Sequence, residues 1–215
     1  MNTATKRVIY QNSNSYETLN NKSENSLNHW FAFHGMGYLS RYFLKYFKGM
    51  EPQSNYIVAP QAPSKYYQGP DFKHVGASWL TREDTIAETQ NVLNYIDAVF
   101  AAEALDPARL ILMGYSQGVS IVCRWMASRK IQPKMLVLHS GGIPIELQAT
   151  DFAYLDPDTP VYYIYGDKDQ YITPEKLLDQ KQRGESLFDN RLRIRTFEGT
   201  HEVHTGILND LANKS

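Results

Sequence analysis

Leu110-Ile111-Leu112-Met113-Gly114-Tyr115-Ser116-Gln117-Gly118-Val119 decides how this chain is read. Four apolar residues run into a G-x-S-x-G pentapeptide, and the stretch from Val119 to Arg129 then has the character of a helix. In a strand–turn–helix context the serine sits on a sharp, strained turn with its hydroxyl clear of the sheet edge. Gly114 and Gly118 lack Cβ atoms, so strand and helix can approach closely enough to hold that turn. The helix N-terminus brings backbone N–H groups and a positive dipole end beside the hydroxyl, where negative charge develops in acyl transfer. The pattern predicts a nucleophile at Ser116.

A nucleophilic serine needs a base and an orienting acid, which in this context follow it in the order acid, then histidine. Val161-Tyr162-Tyr163-Ile164-Tyr165 reads as a buried strand, and Gly166-Asp167-Lys168-Asp169 follows it. Leu192 to Phe197 alternates apolar and polar residues, as a half-buried edge strand does, and ends in Glu198-Gly199-Thr200-His201. The order is thus Ser116, an aspartate at 167 or 169, and His201, each just past a strand's carboxyl end. Upstream, Trp30 to Phe33 is an apolar strand leading into His34-Gly35-Met36-Gly37. That loop can turn the Met36 N–H toward the serine, and the Gln117 N–H supplies a second donor for an oxyanion. His34 precedes the serine and is expected to bond within its own loop.

With these segments in hand, the chain resembles the phospholipase/carboxylesterase group of α/β-hydrolases, which includes the acyl-protein thioesterases. The likeness rests on Phe33-His34-Gly35-Met36-Gly37, Gly114 to Gly118, Gly166 to Pro174 and Gly199-Thr200-His201, and spans residues 30 to 205. It implies a serine hydrolase of esters or thioesters with an acyl-enzyme intermediate and no cofactor or metal. The group's G-x-x-D-x-x-V/I pattern falls on Gly166 to Ile172 and implies Asp169 as the acid. Three positions depart from the group: Val119 stands for a frequent glycine, Tyr165 for the histidine of a His-Gly pair, and Tyr38 for an aspartate after the first loop.

Composition fits one soluble domain over residues 1–215, since 42% hydrophobic content in 215 residues supports a substantial core. A net charge of −1 gives no electrostatic case for nucleic acid or an anionic membrane. No segment approaches the ~18 apolar residues of a membrane span, and no apolar stretch follows Met1 to Arg7, so a cytoplasmic address is expected. The single cysteine, Cys123, excludes an intrachain disulfide and reads as a small packed side chain.

Strands alternate with helices, which predicts a mostly parallel sheet covered on both faces. Arg7 to Tyr10 and Tyr16 to Leu19 read as an N-terminal hairpin around Asn12-Ser13-Asn14-Ser15. Residues 60–78 read as a long loop whose aromatics, Phe72 among them, are expected with Trp79 and Tyr115 to line the substrate pocket. Thr81 to Asp84 resembles a capping box ahead of a helix through Ala101. Helices are also expected near Leu39 to Phe47, Pro174 to Leu187 and Glu202 to Ala212. His201-Glu202-Val203-His204 has its histidines three apart and no third ligand in sight, which argues against zinc. Asp167-Lys168-Asp169 lacks the glycine and glutamate of a calcium loop, because Ile172 and Leu178 stand there.

Overall fold

A computed structural model describes residues 3–214; Met1, Asn2 and Ser215 lie outside it, and with them part of the N-terminal stretch considered above. The apolar runs become strands β1 (Tyr16–Leu19), β2 (Asn28–Phe33), β3 (Asn55–Pro60), β6 (Leu110–Tyr115), β7 (Met135–His139), β8 (Val161–Gly166) and β9 (Leu192–Phe197). Among the described residues they form one seven-stranded sheet in the order β1-β3-β2-β6-β7-β8-β9. Every neighbouring pair is parallel except β1 with β3. Strands β2, β3, β6, β7 and β8 are buried at every position, as a sheet covered on both faces requires.

Alternation along each strand divides the core in two. Phe31, Phe33, Leu112 and Leu138 face the side covered by α2 (Thr85–Glu103), α3 (Gln117–Arg129) and α4 (Pro174–Phe188), with Ile96, Trp125 and Phe188 among the packed residues. Trp30, Ala32, Ile111 and Met113 face α1 (Ser40–Phe43), the 3-10 turn Leu44–Phe47 after it, and α5 (Thr205–Ala212), which contribute Phe43, Phe47, Leu208 and Leu211. Each large side chain so buried contributes about 1.5–3 kcal/mol. No helix among the described residues is long and apolar enough to cross a membrane.

Four local expectations are corrected. The N-terminal antiparallel pairing is present, but β1 pairs with β3, Tyr16 opposite Pro60, and residues 7–10 form no strand. Residues 60–78 are not structureless: β4 (Ser64–Gln68) and β5 (His74–Ser78) form a separate antiparallel hairpin. The capping box does not form, because the cap of α2 is Asp84 in a left-handed conformation (φ +50°) without a side-chain cap bond. Helix α5 starts at Thr205 rather than Glu202, with His204 as its cap.

Candidate active site

Ser116 lies between β6 and α3 with φ +52° and ψ −118°. A non-glycine residue held there costs of order 1–3 kcal/mol and persists only where the surroundings over-determine it. Two close approaches do so. A Cβ on Gly118 would stand 2.1 Å from the Phe33 carbonyl oxygen, and one on Gly114 would stand 2.5 Å from that of Gly118. The turn is further pinned by the Ser116 N–H, which donates to the His139 carbonyl at 2.8 Å.

His201 Nε2 lies 2.9 Å from Ser116 Oγ, and His201 Nδ1 lies 2.8 Å from Asp169 Oδ2. The carboxylate can only accept, so Nδ1 carries the proton and Nε2 is left to accept from the serine hydroxyl. Asp169 is the buried aspartate of its loop, and its other oxygen accepts the Tyr171 N–H at 2.9 Å. Asp167 points elsewhere: its Oδ1 accepts the Gly199 N–H at 3.0 Å and joins the two strand-end loops. Of the two aspartates left open by the residue pattern, Asp169 is the one against the imidazole.

The loop after β2 is anchored from beneath. His34 is fully buried, accepts the Ala62 N–H at Nε2 (3.1 Å) and donates from Nδ1 to the Gly35 carbonyl (2.8 Å). Burial holds its pKa down to about 4, so it stays neutral. The Trp79 indole donates to the His34 carbonyl at 2.8 Å. The Gln117 side chain turns away from Ser116, accepting the Trp79 N–H at 2.9 Å and donating to the Leu80 carbonyl at 2.7 Å. Its main-chain N–H opens α3, where no preceding turn can accept it. The Met36 N–H donates to no protein acceptor among the described residues. Met36 and Gln117 both border a cavity of about 490 Å³ that contains Ser116 and His201.

The three pocket aromatics expected from sequence stand apart from this cavity. Trp79 is 0% exposed and serves as the prop under the His34 loop; Tyr115 is 1% exposed with its ring beneath His201; Phe72 is 67% exposed at the hairpin turn, edge-on to Tyr67. In their place Tyr171, Ile172, Tyr163, Ser120, Ser140 and Lys176 line the wall, together with Gln180. Tyr171 meets the His201 ring edge-on at 4.7 Å. Its place two residues past Asp169 was a usable signal; the α4 residues carried none. His139 is fully buried, accepts the His204 N–H at Nε2 and donates to Ser140 Oγ, and burial holds its pKa down to about 3.

A family model for phospholipases and carboxylesterases matches residues 15–213. No curated protein matches the chain. Among solved structures, esterase PE8 is 22% identical over 94% of this chain and 97% of its own, with a TM-score of 0.68. A phospholipase/carboxylesterase from Dyadobacter fermentans is 16% identical over 95% and 99%, with a TM-score of 0.67. Acyl-protein thioesterase 2 of Zea mays is 14% identical over 94% and 97%, with a TM-score of 0.64. These likenesses show a shared fold, and with the family model spanning residues 15–213 the chain belongs to the phospholipase/carboxylesterase family of α/β-hydrolases.

Proposed function

We propose that the chain works as one hydrolase domain that cleaves small carboxylic esters or thioesters through Ser116, His201 and Asp169. The observation that carries this reading is the continuous Ser116–His201–Asp169 hydrogen-bonded chain at 2.9 and 2.8 Å, opening on a cavity. Ser116 Oγ attacks the carbonyl carbon as its proton passes to His201 Nε2, and Asp169 stabilises the imidazolium. The carbonyl oxygen becomes an oxyanion facing the Met36 and Gln117 N–H groups; loss of one such donor typically costs about 3 kcal/mol. His201 then protonates the leaving alcohol or thiol as the tetrahedral intermediate collapses to the acyl-enzyme. Water attacks that ester as His201 takes its proton, and His201 returns the proton to Ser116 Oγ as the acid leaves. Every step runs on groups of this chain. The esterase and thioesterase named among the structural neighbours support a carbonyl substrate of this kind.

A fluorophosphonate probe tests the reading. Wild type is expected to be labelled and to hydrolyse a short ester, while folded Ser116→Ala does neither. Wild-type protein that stays unlabelled would leave an idle scaffold, serving as a binding module, as the better account. A panel of graded esters, a lysophospholipid and a palmitoyl thioester then ranks the substrates.

A further inference from the structure

The wall of the Ser116 cavity that α4 supplies carries a cation. Lys176 stands in the first turn of α4 and lines the same cavity as Ser116 and His201. Its ammonium has three donors, and its one hydrogen bond is to the Tyr171 carbonyl at 3.3 Å. It forms no ion pair among the described residues. The nearby carboxylates are committed elsewhere. Asp169 accepts from His201 and Tyr171, Asp179 pairs with Arg183 and accepts from Gln180, and Glu175 bonds to its own helix end.

Ser120, Ser140 and Gln180 on the same wall are neutral, and each has a protein partner. Ser120 Oγ donates to the Gln117 carbonyl at 2.9 Å, Ser140 Oγ meets His139 at 3.0 Å, and Gln180 Oε1 accepts the Ile143 N–H at 2.6 Å. Among the described residues that line the cavity, Lys176 is the one lysine, arginine or carboxylate, and its ammonium keeps unused donors. At about 490 Å³ the cavity is roughly 10 Å across if taken as a sphere, a size that suits a small ligand. Ile172 and the rings of Tyr163 and Tyr171 give the cavity apolar surface for the uncharged part of such a ligand.

We infer that Lys176 is a specificity-determining residue that selects esters bearing a carboxylate a few bonds from the scissile carbonyl. The inference rests on the hydrolase reading above. The carboxylate would take the free ammonium donors, a charge-assisted contact made next to the reacting serine. Because Lys176 is exposed, the contact is partly screened, and a gain of about two- to fivefold in kcat/KM is expected.

Charged and neutral esters of matched length test it. Monoethyl succinate against ethyl butyrate places the charge on the acyl side; 4-acetoxybutyrate against butyl acetate places it on the alcohol side. Hydrolysis is followed in a pH-stat, with protection of Ser116 from a fluorophosphonate probe as a second readout. Wild type is expected to prefer the charged member of one pair by about two- to fivefold, and that ester to protect at lower concentration. The preference should shrink toward unity in Lys176→Met and in Lys176→Gln, survive in Lys176→Arg, and weaken as salt rises. Protein that the probe fails to label defeats the hydrolase reading itself. Labelled protein with no charge preference in either pair overturns this inference alone, as does a preference that persists in Lys176→Met and Lys176→Gln.

Discussion

The hydroxyl of Tyr115 donates to the main-chain carbonyl of His201 at 3.0 Å. The residue immediately before the serine thus grips the backbone of the histidine 86 positions later in the chain. Tyr115 is buried, its ring lies 5.3 Å from the imidazole between centroids, and burial pushes its hydroxyl pKa up. Its side chain holds the His201 backbone and does not line the Ser116 cavity.

Tyr115→Phe deletes one buried oxygen and leaves that carbonyl without its donor. Unfolding free energy is expected to fall by about 1–2 kcal/mol. Turnover should drop several-fold with KM little changed, because orientation of the ring rather than contact with substrate is lost. Steady-state kinetics beside urea unfolding reads both, and a rise in KM at constant kcat would restore Tyr115 to the substrate pocket.

The two aspartates of the loop after β8 should behave very differently. Asp169→Asn removes the acceptor that fixes the His201 tautomer, and kcat is expected to fall by about 10⁴, as in other triads. Asp167→Asn keeps an amide oxygen that can still accept the Gly199 N–H, so its loss should stay within about tenfold. The reverse ranking in a soluble-ester assay would move the acid to Asp167.

His204 caps α5, its Nδ1 accepting the Ile207 N–H at 3.0 Å. His204→Ala is therefore expected to cost about 1 kcal/mol of stability while most activity remains. His201→Ala should lose activity and keep its melting temperature within a few degrees. Comparable residual turnover in the two variants would count against His201 as the base.

Two buried neutral histidines make the fold acid-sensitive. The pKa of His34 is held down to about 4 and that of His139 to about 3, mainly by burial, against about 6.5 in the unfolded chain. The unfolded chain therefore binds protons first. The stabilisation is fully present above about pH 6.5 and is lost as pH falls toward the folded values, at up to about 1.4 kcal/mol per pH unit for each histidine. Urea unfolding at pH 7.5 and pH 5 should show the drop, with a smaller one in His34→Gln. A flat profile would mean that both rings titrate in the fold as they do in the unfolded chain.

What was legible in the sequence is what local sterics or strand-end position enforce. Gly114 and Gly118 are required wherever strand and helix touch, so the serine turn announced itself. The order of Ser116, aspartate and His201 follows from strands that end on one edge of a parallel sheet. Met36 and Gln117 could be named as candidate donors because a main-chain N–H depends on loop position rather than side chain, and both border the Ser116 cavity. The cavity wall was not legible, because it is assembled from the loop after Asp169, the segment after β7, Ser120 of α3, Tyr163 of β8 and the first turns of α4. Those segments are far apart in the chain and share no periodicity. Trp79 and Tyr115 misled for a related reason: a large aromatic beside a motif can line a cavity or prop a loop, and only burial separates the two. The hairpin β4–β5 escaped because β4 is exposed at every position and so lacks the alternation that marks a strand with one buried face. At α2, Thr81 Oγ1 accepts the Glu83 N–H instead of capping the helix, a tertiary choice that spacing does not reveal.

The close approaches around Ser116 divide the molecule's freedom to change. With carbonyl oxygens 2.1 and 2.5 Å from where a Cβ on Gly118 or Gly114 would stand, the reacting geometry cannot drift by even one methyl group. The wall carried by α4 is under no such restraint, since Lys176 is exposed on a helix whose backbone does not touch the serine turn at those glycines. Substitutions on α4 can therefore remodel the cavity wall while the serine turn stays fixed, so that the two halves of the cavity are free to vary at very different rates.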